Sequence, residues 1–185
     1  MQPGLHEALG AALQVLHDLG LRYALVGGLA VSAWAVPRAT RDADLWVDLE
    51  GHENDLVVEL RSAGFDVPAM AEELENFGVF RSRHVATGVF IDMFNAVGPL
   101  GKSILDRRKQ ARLGEHDTWL ASAEDVAVLK AFSDRPRDLD DLVALLQVTP
   151  LDLNYVSQWA ERLDASIESN EVSERLRSAR AKAKH

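Results

Sequence analysis

Three carboxylates and one glycine pair carry the chemistry open to this sequence: Asp42, Asp44, Asp92 and Gly27-Gly28. From Ala43 to Leu49 the chain alternates apolar and polar residues, which is the pattern of a half-buried strand. Residues two apart on a strand project from one face, so Asp42, Asp44, Trp46 and Asp48 share a side opposite Ala43, Leu45, Val47 and Leu49. Paired carboxylates so placed can hold a hard cation between their oxygens. Asp92 sits in Phe90-Ile91-Asp92-Met93-Phe94, a lone acid in an apolar strand. A buried, unpaired carboxylate costs several kcal/mol, so Asp92 requires a cation, a metal or water beside it. Gly27-Gly28 falls between a short apolar strand and a helix, where backbone N–H groups and the helix dipole can receive a phosphate. If the strands of Asp42–Asp44 and Asp92 are neighbours, three carboxylates meet beside a phosphate seat. That is the layout for two-metal phosphoryl or nucleotidyl transfer, one Mg²⁺ activating the attacking oxygen and the other holding the triphosphate and leaving group.

The elements that must position these residues are legible in outline. Leu5, Leu9, Leu13, Leu16 and Leu19 repeat at helical spacing, and Gly20 stands where a C-cap glycine belongs. Tyr23-Ala24-Leu25-Val26 reads as a buried strand, and a helix from Leu29 to Val36 follows the glycines and is stopped by Pro37. His52 to Ala63 has helical periodicity. Phe77 to Arg83 and Thr87 to Asn95 form two strands of an antiparallel hairpin turning around His84. Leu100 to Lys109 reads as a short helix and Thr118 to Leu120 as a short strand. The remainder is helical: Ala123 to Phe132 behind a Ser122 cap, Asp138 to Gln147 after an interruption at Pro136, and Leu151 to Leu163 opened by Thr149-Pro150. Past Ala165 the apolar stripe thins to Val172 and Leu176, which predicts a charged tail in the form of a loose helix.

The Gly-Gly pair, Arg38-x-Thr40-x-Asp42-x-Asp44 after a thirteen-residue gap, and the later Asp92 resemble the nucleotidyltransferase fold of the polymerase β superfamily. Within it, Glu124-Asp125-x(4)-Lys130 followed by Arg135-x-x-Asp138-x-x-Asp141 is similar to small prokaryotic proteins that include the AbiEii-type toxin nucleotidyltransferases. The likeness spans roughly residues 20–147. It implies an α+β fold, a small mixed β-sheet with flanking helices plus a helical C-terminal part. The corresponding divisions are a catalytic core over 1–120, helices packed on it over 121–165 and a charged tail over 166–185.

The resemblance also implies roles. Gly27 and Gly28 would cradle the nucleoside triphosphate, and Asp42, Asp44 and Asp92 would bind two Mg²⁺ ions. Asp92 would ligand the catalytic metal and take the proton from the acceptor hydroxyl. Lys130 would reach the triphosphate as a point charge, Asp138 would orient it or contact the nucleotide, and Arg38 and Thr40 would brace the loop that carries the metal ligands.

Composition sets bounds on these readings. The 185 residues are 47% apolar and 26% charged, enough to fold without staples, and there is no cysteine, which excludes disulfides, thiolate metal sites and a thiol nucleophile. His6, His17, His52, His84, His116 and His185 show no ligand spacing, so no histidine zinc site is expected. The first 20 residues lack a basic leader and no apolar run reaches membrane-spanning length, so a cytoplasmic protein without a membrane partner is expected. Net charge is −9, yet residues 175–185 hold five basic side chains and no acid, leaving 15 basic against 29 acidic over the other 174 residues. A body so acidic does not grip a polyanion non-specifically.

Two acceptor classes stay open, the toxin-like one being the leading reading. One is tRNA or a protein, as in toxin–antitoxin members, which the basic tail favours; the other is a small molecule such as an aminoglycoside or lincosamide, which the acidic body favours. A non-catalytic binding partner, and a site completed by an antitoxin or a homodimer, are further readings. Several residues carry two readings each. Arg81 and Arg83 alternate before Asp92 and could face phosphates or protect a sheet edge; Trp46 could stack on a base or lie in the core; Arg137 and Asp141 read as surface and cap charges.

Overall fold

Tyr23–Val26 forms β1, four apolar residues all buried, and everything in the sheet is arranged around it. The computed structural model describes residues 3–49, 51–67 and 78–184. Asp42–Val47 (β2) runs antiparallel to β1. Phe90–Asn95 (β5) lies parallel to β2, and Val79–His84 (β4) antiparallel to β5. Phe65–Asp66 (β3) closes that edge. On the other side of β1 come His116–Leu120 (β7), parallel to it, and Lys109–Leu113 (β6), antiparallel to β7. Among the described residues the order β3-β4-β5-β2-β1-β7-β6 is a seven-stranded mixed sheet, so the expected mixed sheet with flanking helices is present.

The chain divides into two units, the first built from residues within 1–29 and 39–121 and the second from 30–38 and 122–185. In the first, helix α1 (Pro3–Asp18) packs on β2 and β5. Leu5, Ala8, Leu9, Ala12 and Leu16, spaced three or four apart, are buried, as are Ala43, Leu45, Val47, Ile91 and Met93 of the strands. This face is the core, stabilised at roughly 25 cal/mol per Å² of apolar surface removed from water. Helix α3 (Glu53–Ser62) buries Leu56 and Leu60 and packs on α1 and β3, and α4 (Gly98–Arg107) packs on β1. Helix α2 (Gly27–Trp34) starts at the first glycine rather than after the pair.

The second unit holds the remainder of α2 and four helices: α5 (Ala123–Phe132), α6 (Pro136–Val148), α7 (Leu153–Ser166) and α8 (Glu171–Lys182). Val126, Ala127, Ala131, Leu142, Leu145, Val156, Trp159, Val172 and Leu176 form its core. Ser122 caps α5 as expected, accepting from the N–H of Asp125 at 3.2 Å. Pro136 does not interrupt a helix but opens one, at a position where its missing N–H costs nothing.

Some expectations are corrected. Helix α7 is capped by Asp152, whose Oδ1 accepts from Asn154 and Tyr155, whereas Thr149 ends α6 and donates to the carbonyl of Trp34 at 2.6 Å. The tail expected to be loose contains α8: Val172, Leu176 and Ala179 are buried, and Arg175 donates to the carbonyls of Ala131 and Phe132 at the end of α5. Asp164 ties α8 down by accepting the N–H groups of Val172 and Ser173. Lys109, read as a helix end, instead begins β6, which turns into β7 through Gly114 at φ 63°. Phe77, read as the start of β4, lies outside the described residues, as does His185. No helix among the described residues is long and apolar enough to cross a membrane.

Candidate active site

The alternation of β2 is realised in the structure. Ala43, Leu45 and Val47 are fully buried, while Asp42, Asp44 and Trp46 are half-buried on the other face. Val26, the last residue of β1, pairs with Asp44, so the first turn of α2 begins beside that carboxylate. Gly27 there has φ 60°, and a Cβ added to it would fall 1.8 Å from Oδ2 of Asp44. No side chain fits at position 27 without moving the acid. Gly28 is buried in the same first turn. Thr40, buried, donates its hydroxyl to Oδ1 of Asp42 at 3.0 Å, which fixes the second carboxylate.

Asp92 joins them through sheet register. On the parallel β2–β5 pair Asp44 lies directly opposite Asp92, and on the antiparallel β4–β5 pair Asp92 lies opposite Arg81. The cation that the buried acid requires is Arg81. Its Nε donates to Oδ1 and its Nη2 to Oδ2, both at 2.6 Å, a two-pronged pair. The guanidinium also lies 5.1 Å from the centre of the Phe90 ring. Hydrogen bonding to Asp92 raises the pKa of Arg81 above its ordinary value against the opposing effect of burial, and the charges of Asp92, Asp42 and Asp44 add to it. Two register positions along, Trp46 stacks on Phe94 with centroids 6.2 Å apart, an aromatic neighbour within the sheet itself.

The second unit assembles its own polar cluster. Lys130 is buried and bonds Asp138 and Asp141, the latter at 2.9 Å. Arg38 bonds Asp141 with Nη2 at 2.9 Å, and its Nη1 is buried without a hydrogen-bond partner among the described residues. Ser133 and Arg135 complete Asp138. Burial pushes Asp138 up, but the hydrogen bonds from Lys130, Ser133 and Arg135 outweigh it and hold the carboxyl below the ordinary range. Asp141, read from sequence as a cap or surface charge, is in fact buried and bridges Lys130 to Arg38. Of the sequence-derived site residues, the structure therefore gathers Gly27, Gly28, Thr40, Asp42, Asp44 and Asp92 in the first unit. It gathers Arg38, Lys130 and Asp138 in the second.

The donor chemistry of the first group suits a hard divalent cation: three carboxylates, no thiol and no imidazole, with Asp44 seated against a backbone that admits no side chain. In the structure both oxygens of Asp92 are engaged by Arg81, and among the described residues no three ligating side chains are already drawn together as a metal cage.

No protein-family model matches the chain, and no curated protein sequence matches it. Solved structures do. The lincosamide antibiotic adenylyltransferase LnuA, with lincomycin bound, superposes with a TM-score of 0.55 at 16% identity over 77% of this chain and 96% of the other. ANT(2'')-Ia in complex with adenylyl-2''-tobramycin superposes with a TM-score of 0.53 at 15% identity over 94% of this chain and 95% of the other. The chain has the nucleotidyltransferase fold that its motifs resemble.

Proposed function

We propose, taking that fold as premise, that the protein is a Mg²⁺-dependent nucleotidyltransferase that moves a nucleoside monophosphate from an NTP to an acceptor hydroxyl. The observation that carries this reading is the pairing of Asp44 with Asp92 across β2 and β5, with Asp42 on the same face and Gly27 against Asp44. In the reaction the acceptor oxygen bonds to the α-phosphorus, the bond from that phosphorus to the bridging oxygen of the β-phosphate breaks, and pyrophosphate leaves. The acceptor's proton passes to Asp92 or to solvent. Asp42, Asp44 and Asp92 would hold Mg²⁺, which when bound supplies Lewis-acid stabilisation of the phosphoryl oxygens. The N–H groups of the first turn of α2 receive phosphate oxygens, and Gly27 leaves the approach clear. Arg38, Lys130 and Asp138 are assigned to the nucleotide, with Arg38 Nη1 as an available donor.

For the acceptor, a small, cationic, hydroxyl-bearing molecule is favoured over tRNA or a protein. The acidic body, 29 acidic against 20 basic side chains, suits a cation. Arg175, one of the five basic residues of the tail, is used inside the second unit on the end of α5. The two superposed proteins carry antibiotic names. A toxin-like protein acting on tRNA is the competing assignment, and one assay separates them. Wild type and Asp44→Asn are incubated with Mg²⁺ and each α-labelled NTP, offering aminoglycosides, lincosamides, total tRNA and lysate protein. Label on a small molecule with wild type only is the expected result. Label on tRNA or protein reassigns the acceptor, and transfer by Asp44→Asn, or NTP-independent behaviour throughout, overturns the reading in favour of a non-catalytic module.

A further inference from the structure

Arg81 is a latch on the carboxylate cluster. We propose that it serves as an internal cation which holds Asp92 in the metal-free protein and must release it before the site can load, so that Arg81 sets how much divalent metal the protein needs. The inference rests on the proposed metal-dependent reading of the same site and adds a residue to which that reading gives no role.

The geometry is specific to Arg81. Asp92 is an acid in an otherwise apolar strand, its side chain only 11% exposed, and without compensation its charge would be costly there. Arg81 supplies the compensation from the adjacent strand at the directly opposed position, with one nitrogen on each carboxylate oxygen. Those two oxygens are the atoms that a chelated cation would use. Guanidinium and metal therefore compete for one edge of one carboxylate. The two partners differ in exposure: the Asp92 side chain is 11% exposed and the Arg81 side chain 54%. Phe90, itself exposed and opposite Asp42 in the register, lies under the guanidinium while it holds Asp92. Arg83, two residues along β4, lies on the same exposed face and pairs opposite Phe90, not Asp92. It has the same charge and is not positioned as the latch.

A latch makes the apparent metal affinity weaker than the intrinsic one by the fraction of molecules in which Asp92 is released. The test is a Mn²⁺ titration, by calorimetry and by the electron paramagnetic resonance signal of free Mn²⁺, on wild type, Arg81→Gln, Arg83→Gln and Asp44→Asn. Thermal melts are recorded alongside in EDTA and in saturating Mn²⁺. The latch requires Arg81→Gln to bind Mn²⁺ about three- to tenfold more tightly than wild type, with Arg83→Gln much closer to wild type. It also requires Arg81→Gln to melt below wild type in EDTA, with the gap closing in Mn²⁺, because the cation then does what the arginine did. A purely structural arginine would lower both melting temperatures alike, and that outcome overturns the proposal. Equal tightening by Arg83→Gln overturns it too, since general charge would then explain the effect. If wild type binds Mn²⁺ in an Asp44-dependent way and Arg81→Gln is no tighter, the latch fails while the metal-dependent reading stands. If no variant binds Mn²⁺ at millimolar concentration, both fall.

Discussion

Gly27 and Asp44 are in such close contact that the absence of a side chain on one is a condition for the position of the other. A Cβ at position 27 would overlap Oδ2 of Asp44 at 1.8 Å and lie 2.6 Å from its Cγ. The glycine is also at φ 60°, where an L side chain is strained.

Gly27→Ala should therefore behave as an active-site variant. We expect a destabilisation of about 1–3 kcal/mol from the strained backbone, with the protein still folded, and a loss of nucleotidyl transfer of at least a hundredfold. Circular dichroism melts alongside transfer rates check it. A variant that folds and keeps near-normal transfer would show that the position of Asp44 is not critical.

Thr40→Val removes the hydroxyl that orients Asp42 and keeps the volume. About a tenfold loss of transfer is expected, partly recovered by raising Mg²⁺, and Thr40→Ser should restore most of it because Ser can present the same donor. Rates measured across a Mg²⁺ series distinguish the two variants.

Lys130→Met leaves Asp138 and Asp141 buried together without their shared ammonium. Breaking a buried ion pair from one side costs about 3–5 kcal/mol, so the helical unit should lose that much in urea unfolding. Adding Asp138→Asn should recover part of the loss.

Asp138 and Asp164 both have carboxyl pKa values held below the ordinary range. For Asp164, burial pushes upward, and hydrogen bonds from Ser173 and the N–H of Val172 prevail. The unfolded chain then binds protons more readily than the folded one. Their stabilisation is complete above the unfolded value of about 3.9 and is lost as pH falls through the lower folded values. Melting temperature should stay level with respect to these groups from neutrality down to about pH 5 and decline below about pH 4. Asp164→Asn should lower the plateau and flatten the acid decline.

How far the sequence alone reached depended on distance along the chain. Gly27-Gly28 and Asp42-x-Asp44 were legible because strand alternation acts over neighbouring residues. That Asp44 faces Asp92 is a matter of parallel register between segments nearly fifty residues apart, and no local pattern encodes it. Arg81 and Arg83 looked equivalent for the same reason, since alternation gives the face and only pairing gives the partner. Asp141 was misjudged because helical spacing relates it to Asp138 without saying that this side of α6 is buried. Strand β6, Lys-Gln-Ala-Arg-Leu, alternates only through Ala111 and Leu113, too short a pattern to announce an edge strand with much of its surface in water. Helix α8 was underrated because three buried residues, Val172, Leu176 and Ala179, suffice when Asp164 and Arg175 anchor its first half.

The route of the chain through α2 bears on how such a protein can be inherited. Residues 30–38 belong to the helical unit although they lie between β1 and β2, and they are tied there by Arg38 to Asp141 and by the Trp34 carbonyl to Thr149. A recombination event that exchanged everything after Ala121 would replace four helices and leave behind the nine-residue segment that belongs with them. Ala30 and Val31 would then meet foreign surfaces, and Arg38 would lose its acid. The helical unit is therefore not a cassette that a single exchange point in the chain could replace.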